Sequence, residues 1–225
     1  MEQQTIQRSE LDTFMDYCCE CWNNLDVRPE DDPKMMAKLK NGIQTLLIPA
    51  CEEGDENAMF WMAECYEAGC GVELDGKKAF ALRRKLAEMG HLDQQINMGD
   101  YYRWGDVVKR NPRTAFCWYM RAAKQGDWYG QVLVADCYYK GDGVKMDYKE
   151  AVKWYELAAA QPDKRFCEWN HAALQLAYCY REGLGVKKDL AKAAEWYDRA
   201  DCHKEAELIL LYGDAAEEHN LDCPF

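Results

Sequence analysis

The sequence predicts an all-α protein made of stacked helix-turn-helix repeats. Three observations lead to this fold class: a fixed spacing of key residues, a helical apolar period on both sides of a glycine, and matching columns of small and aromatic residues. The spacing is carried by Tyr66, Tyr102, Tyr138 and Tyr180, which lie 36, 36 and 42 residues apart. A glycine, a valine and an alanine keep the same steps. An insertion of about six residues within 161–171 explains the longer last step.

The first full copy shows how one repeat is predicted to fold. One face of its first helix carries Ala58, Met62, Ala63 and Tyr66. Gly69 ends this helix, because glycine readily adopts the positive φ found just past a helix C-terminus. A second helix begins near Asp75 and runs to Gly90. Neither helix can bury its apolar face alone, so each repeat must pack on its neighbours.

Matching positions in successive copies are predicted to form the core. The small residues of the first helices are Ala63, Gly99, Ala135 and Ala177. The aromatic residues of the second helices are Trp118, Trp154 and Trp196, each followed by a tyrosine. Burying one aromatic side chain removes roughly 150–250 Å² from water, which stabilises the fold by several kcal/mol before entropy is subtracted. We therefore expect both columns to be core.

The repeat spacing divides the chain into segments of a single predicted domain. Residues 1–53 form degenerate N-terminal helices, residues 54–89, 90–125, 126–167 and 168–201 form the repeats, and residues 202–225 form a C-terminal capping helix. In the first segment, helices are expected over 9–25 and 33–53, the second kinked by Pro49. The final helix is expected over 203–219.

The repeated pattern resembles the Sel1-like repeat, a relative of the tetratricopeptide repeat with a longer turn. The resemblance is strongest in LAYCYREGLGVKKDLAKAAEWYDRA and VADCYYKGDGVKMDYKEAVKWYELAAA, and it covers about residues 58–201. It implies a right-handed α-α superhelix, or solenoid, that serves as a scaffold for other proteins. It also implies that the chain is not an enzyme.

One turn departs from the repeat pattern. Val107 occupies the position that glycine holds in the other copies, namely Gly71, Gly143 and Gly185. A positive φ costs a β-branched residue on the order of 1–2 kcal/mol. We therefore expect this turn to follow a different path, helped by Pro112.

The first helices of successive repeats are predicted to line a concave surface. A rotation of about 100° per residue places there Trp61, Glu64, Asn97, Asp100, Trp104, Tyr129, Asp136, Gln175 and Tyr178. Carboxylates pair with cations, and aromatic faces attract them. The predicted function is a protein-protein interaction scaffold that binds a partner peptide or protein, with basic residues, in this acidic and aromatic groove. The simpler interpretation is that these carboxylates only keep the array soluble.

The alternative is a small-molecule binder or hydrolase of the cysteine-rich Sel1-like type. Relatives of that type pair two cysteines at a fixed spacing in every repeat. At one repeat position this chain has Cys65, Cys137 and Cys179, without regularly spaced mates. The Cys-x-x-Cys of Cys18 and Cys21 lacks the second pair that a metal site needs, and the EWNH motif at 168–171 fits a solvated loop. No catalytic residue, metal or cofactor is predicted.

Composition limits the partner and the compartment. The net charge of −12 disfavours nucleic acid and anionic membranes, because binding phosphate requires clustered lysine and arginine. Charges throughout the first residues argue against a signal peptide, and no apolar stretch is long enough to span a membrane. Cysteines at equal repeat positions lie beyond disulfide reach, which indicates reduced thiols. We therefore expect a cytoplasmic protein, such as a bacterial adaptor or toxin-neutralising protein, of open oligomeric state.

Overall fold

All regular elements of the described residues are helices in the computed structural model of the chain. The structure describes residues 8–23, 32–160 and 167–212. The chain divides into two compact units, Met1–Met98 and Gly99–Phe225, which we call the first and second units. The all-α prediction is confirmed, and the division into one domain with six segments stays a prediction.

The helices pair into repeats in the predicted order. They are α1 (Arg8–Asn23), α2 (Pro33–Gly42), a π-helical turn (Ile43–Leu47), α3 (Ile48–Glu53), α4 (Glu56–Ala68), α5 (Gly76–Met89), α6 (Leu92–Trp104), α7 (Pro112–Lys124), α8 (Trp128–Lys140), α9 (Tyr148–Ala159), α10 (Cys167–Glu182), α11 (Leu190–Arg199) and α12 (His203–Tyr212). The first helices of the repeats are α4, α6, α8 and α10, and the second helices are α5, α7, α9 and α11. The predicted extension of the last helix to 219, and most of the predicted insertion, lie outside the described residues.

The same backbone hydrogen bond closes the turn between the first and second helices of every repeat. In all four copies the carbonyl oxygen of the repeated tyrosine accepts a hydrogen bond from the backbone N–H of the residue that caps the second helix. The pairs are Asp75 with Tyr66, Asn111 with Tyr102, Asp147 with Tyr138, and Asp189 with Tyr180, at 2.7–2.9 Å. The side chain of each cap then accepts a hydrogen bond from the first turn of that helix. The four tyrosines thus share one backbone environment, as their spacing predicts.

The turn position that Val107 occupies in its repeat holds glycine in the other repeats. There the backbone has a positive φ, and a Cβ would clash with a nearby atom. Gly143 has a φ of +75°, and a Cβ there would lie 2.2 Å from the carbonyl oxygen of Pro112. Gly185 has a φ of +72°, and its Cβ would lie 2.4 Å from the carbonyl oxygen of Tyr148. Val107 does not adopt a positive φ. The prediction that its turn follows a different path is therefore confirmed.

In the first unit, a proline shapes the helix that runs from Pro33 to Glu53. Pro49 has no N–H to donate toward the preceding turn, and the π-helical turn Ile43–Leu47 lies just before it. The kink expected at this proline takes the form of a widened turn. The core around this helix contains Phe14, Cys18, Leu39, Ile43, Leu47, Met62 and Cys65.

In the second unit, the two aromatic columns reach different depths. The residues that are at most 2% exposed are Tyr119, Tyr155 and Tyr197. Trp118 is also buried, whereas Trp154 and Trp196 are half-buried and pack against the edge of the core. The tryptophan precedes the tyrosine, so it is rotated about 100° toward the outer side of the helix. The prediction that the aromatic residues are core is thus correct in full for the tyrosines and in part for the tryptophans. The small residues Ala63, Gly99, Ala135 and Ala177 are all buried, as predicted.

Candidate partner-binding face

The nine predicted site residues lie on the first helices of the repeats, in two groups. The first unit holds Trp61 and Glu64 on α4 and Asn97 on α6. The second unit holds Asp100, Trp104, Tyr129, Asp136, Gln175 and Tyr178, on α6, α8 and α10. We call these six residues the candidate face.

Three of the nine predicted residues are carboxylates, Glu64, Asp100 and Asp136, and we call them the acidic row. Each contacts the second helix of its own repeat. The contacts are Tyr119 Oη to Asp100 Oδ1 at 2.6 Å, Tyr155 Oη to Asp136 Oδ1 at 2.5 Å, and Arg83 Nη2 to Glu64 Oε1 at 2.5 Å. In every case the donor follows the carboxylate by 19 residues. Since a buried hydroxyl or guanidinium is costly without an acceptor, the row has a structural role inside each repeat.

In the first unit, Glu64 belongs to a network around a buried cation. The side chain of Arg83 is only 7% exposed. It donates to Glu67 through Nε at 2.7 Å and Nη2 at 2.6 Å, and to Gln94 through Nη1 at 3.0 Å. Burial alone would lower the pKa of Arg83, but the hydrogen bonds and charges of Glu67 and Glu64 outweigh it and raise the pKa. Glu64 is therefore committed to this internal cation.

The other two predicted residues of the first unit are half-buried. Trp61 packs edge-to-face on Phe60, with ring centroids 5.6 Å apart, and it also contacts the core. Asn97 donates from Nδ2 to Gln94 Oε1 at 3.4 Å. Both side chains thus have contacts within their own unit.

In the second unit, Asp136 accepts a hydrogen bond from Tyr155 and contacts two basic side chains. Besides Tyr155 it meets His171 Nε2 at 3.1 Å and Lys140 Nζ at 3.9 Å, and its side chain is 13% exposed. Burial alone would raise the pKa of Asp136, but the hydrogen bond and positive charge of His171, with help from Tyr155 and Lys140, lower it. The carboxylate therefore stays ionised and holds His171 and Lys140 beside it.

A cation also lies beside Tyr119, which donates to Asp100, the other carboxylate of this unit. Burial, followed by the hydrogen bond to Asp100, raises the pKa of Tyr119. Arg103 lies beside Tyr119, and its Nε is 3.9 Å from Asp142. Sequence reasoning found the carboxylates and missed these cations, together with His171. The separation of 19 residues between an acid and a buried donor was the pattern that would have revealed the pairing.

The aromatic members of the candidate face differ in exposure. Trp104 is 66% exposed at the end of α6, and the Arg103 guanidinium lies 5.2 Å from its ring centroid. Tyr129 is half-buried beside Trp128, and Tyr178 is half-buried next to Arg181, 5.2 Å from its ring. Gln175 is half-buried as well. Trp104 is thus the aromatic side chain of this face that is most open to a partner.

The cysteines of the described residues are free thiols. Burial raises the pKa of Cys179 to about 11 and that of Cys137 to about 12, so little thiolate forms near neutral pH. Over the described ranges, no group of three His, Cys, Asp or Glu side chains could hold a metal ion. The side chains of Cys21 and of residues 168–170, which belong to the two predicted motifs, lie outside this part. The small-molecule alternative stays an untested hypothesis.

None of the helices in the described part of the chain is long and apolar enough to cross a membrane.

Comparison with protein families identifies the repeats. The Sel1 repeat model matches residues 57–91, 95–127, 128–163 and 170–200, together more than half of the chain. The chain belongs to the Sel1 repeat family. Sel1 repeat proteins are generally scaffolds for protein interaction and typically lack catalytic activity. No curated protein matches this sequence.

Solved structures of Sel1-like repeat proteins share this fold. One is c5321, a protective antigen of uropathogenic Escherichia coli with an SLR fold, at 24% identity and a TM-score of 0.63; the match covers 96% of this chain and 50% of that one. Another is a Sel1 repeat protein from Oxalobacter formigenes, at 26% identity and a TM-score of 0.62, covering 86% of this chain and 82% of that one. The present chain thus spans half the length of the first relative. Both matches place this Sel1 repeat chain in the α-solenoid fold class that the sequence predicts.

Proposed function

We propose that the Sel1 repeats of the second unit bind a segment of a partner protein along the candidate face, with Trp104 as the anchor. The observation that carries this proposal is the exposure of Trp104, an indole that is 66% open to solvent beside an arginine. Tryptophan and arginine are the residue types most enriched among the energetically dominant residues of protein interfaces. A partner that covers this ring removes apolar area from water, which favours binding.

Basic residues in the partner segment are the second part of the proposal. The support is the net charge of −12 and the two carboxylates Asp100 and Asp136 on this face. A carboxylate offers about four lone-pair sites, so Tyr119 at Asp100, and Tyr155 with His171 at Asp136, leave acceptor capacity for a cation of the partner. The neighbouring Lys140 and Arg103 oppose a cation, which limits this electrostatic contribution.

The anchor is tested by binding measurements on matched variants. The protein is titrated with a library of labelled peptides that includes lysine- and arginine-rich members, and affinity is followed by fluorescence anisotropy. Trp104→Ala should weaken the best ligands about tenfold or more, because hot-spot truncations typically cost about 2 kcal/mol. Leu157→Ala removes a side chain of similar exposure, 51%, from a second helix and should leave affinity unchanged. Equal affinities for the wild type and Trp104→Ala would refute the proposed anchor.

The basic preference needs its own variant. Asp100→Asn removes the charge but retains an oxygen that can accept from Tyr119. It should weaken the binding of basic peptides and leave the binding of neutral peptides unchanged. Glu195→Gln, on the exposed side of α11, should change neither affinity. Stronger binding of acidic peptides to this face would contradict the basic preference and leave the role of Trp104 standing.

A cytoplasmic location is also part of this proposal. Its support is that the described cysteines are free thiols, which persist in a reducing compartment. Cell fractionation followed by thiol labelling would test it, and recovery of disulfide-linked protein from an oxidising compartment would contradict it.

A further inference from the structure

The outward side of α7 differs in charge from the rest of the chain. The net charge of the protein is −12, yet no aspartate or glutamate occurs between Val107 and Gln125. The same stretch carries five cations: Lys109, Arg110, Arg113, Arg121 and Lys124. The last three lie on α7 and are exposed, and we call them the α7 basic face.

Helix geometry places the α7 basic face on one strip. At about 100° per residue, Arg113, Arg121 and Lys124 fall within an arc of about 80°. The buried residues Ala115, Tyr119 and Ala122 lie on the opposite side of α7. Arg113 and Lys124 are separated by about 16 Å along the helix axis. The three cations are therefore spread over about three turns, on the side of α7 that faces away from the core.

Two cations on other second helices have a carboxylate partner close by. Lys78 meets Asp75 at 3.5 Å, and Lys153 meets Glu150 at 2.5 Å. Within the described ranges, no comparable carboxylate accompanies Arg113 or Lys124. Like charges along one helix face destabilise it slightly, so this strip keeps a positive potential that the sequence does not neutralise locally.

An aromatic ring holds one of these cations in place. The Arg121 guanidinium lies over the ring of buried Trp118, with its carbon 4.3 Å from the centroid. Stacking leaves the N–H edge of a planar guanidinium free to bind a carboxylate in a bidentate manner. The side chain is therefore ordered in advance, which lowers the entropy lost when a ligand binds.

We propose that the α7 basic face binds an acidic segment of a partner protein. Charge complementarity identifies the occupant: three exposed cations on one strip match aspartate and glutamate side chains spaced over about 16 Å. A nucleic acid carries its charge over a much greater length, and the acidic remainder of the chain would repel it. This surface is distinct from the candidate face, which lies on the first helices and carries Trp104.

Two triple variants of equal charge test the proposal. In the first, Arg113, Arg121 and Lys124 are replaced by glutamine. In the matched control, glutamine replaces three exposed lysines of other second helices: Lys149, Lys153 and Lys192. Both remove three positive charges, so a general change in net charge affects them equally. Far-UV circular dichroism and thermal unfolding establish that both are folded.

The probes are a labelled glutamate-rich peptide, a lysine-rich peptide of the same length, and a short DNA duplex. At low salt the glutamate-rich peptide should bind the wild-type protein. Its affinity for the first variant should be about tenfold lower, and its affinity for the control variant should be nearly unchanged. Binding should weaken as salt is raised, and Trp104→Ala should have no effect, which separates this surface from the candidate face. Lack of binding to the wild type, equal losses in both triple variants, or preferential binding of the duplex would each overturn the proposal. Salt-sensitive self-association lost only in the first variant would do so too, because it would make a second copy the occupant.

Discussion

Replacement of Arg83 by methionine tests whether the acidic row is structural in the first unit. Methionine retains an unbranched apolar stem but removes the guanidinium, which donates to Glu64, Glu67 and Gln94. Glu64 and Glu67 then lose the cation with which both of them form ion pairs. If the row exists to satisfy a buried donor, the first unit should lose stability although no site residue has been changed.

The contacts of Arg83 set the expected magnitude. Removing one partner of a buried ion pair costs about 3–5 kcal/mol, because the remaining charge is left without compensation. The side chains of Glu64 and Glu67 are 25% and 32% exposed, so water can solvate them after the change. The loss in unfolding free energy should therefore be smaller, about 2–3 kcal/mol.

Urea-induced unfolding followed by circular dichroism measures this loss, and hydrogen exchange at the amides of α4 and α5 shows where it occurs. Arg84→Met is the matched control. Arg84 lies one position on, pairs with Glu88 at 2.8 Å, and is 55% exposed, so its loss should be about 0.3–0.5 kcal/mol.

The equivalent pair in the next repeat suggests a second variant that should restore part of the lost stability. Combining Glu64→Asp with Arg83→Tyr installs the pair of residue types that meets in the next repeat, where Tyr119 donates to Asp100 at 2.6 Å. This double variant should recover about 1 kcal/mol of the loss seen in Arg83→Met, because the hydroxyl restores one hydrogen bond to the carboxylate at position 64, whereas Glu67 and Gln94 remain without the guanidinium. A methionine variant as stable as the control, or a double variant no more stable than Arg83→Met, would refute the reasoning.

Two further predictions concern the second unit. Gly143→Ala should lower the unfolding free energy in urea by about 2–5 kcal/mol, of which about 1–2 arises from the positive φ and about 1–3 from the contact of the new Cβ with Pro112. Gly126 has a φ of +91°, but a Cβ added there would meet no atom within 4 Å, so Gly126→Ala should cost only the part due to φ. Equal losses in the two variants would show that the close approach to Pro112 is unimportant. Folding lowers the pKa of Asp136 below its ordinary 3.8, so its stabilisation is present above about pH 4 and is lost as pH falls through the folded pKa. Unfolding free energy measured from neutral to acidic pH should therefore decline less steeply in Asp136→Asn, and parallel pH curves for the variant and the wild type would contradict this cause.

The local architecture of the repeats could be predicted from the sequence because each step depends on neighbours along the chain. The spacing of the tyrosines, the glycine ends of the first helices and the cap residues such as Asp75 fix where each helix stops and starts, and Val107 could be identified as an exception from φ alone. Helix bounds in the repeats agree with these expectations. The widened turn before Pro49 could not be predicted in this form, because a proline is accommodated either by a bend or by a change of helix type.

The candidate site was harder to predict because it depends on contacts between helices. A rotation of 100° per residue shows which side of a helix a residue occupies, but not how far a side chain at the boundary reaches. Asp100 and Asp136 lie at such a boundary, where they accept hydrogen bonds from buried tyrosines. The same limitation hid Lys140 and His171, whose relation to Asp136 exists only when helices pack together.

The pairing inside each repeat also indicates where recognition can vary. At the position of Glu64, Asp100 and Asp136, a buried donor on the second helix demands an acceptor, so the chemistry of that position is constrained. Four residues after each of these positions, one helical turn along the first helix, no buried donor in the described part of the chain requires an acceptor. The residues there are Ala68, Trp104, Lys140 and Glu182, all exposed and all of different chemical character. Since these side chains do not pair with a buried donor on the second helix, they can be replaced without loss of the fold. Differences between repeats in what they bind should therefore arise at this position.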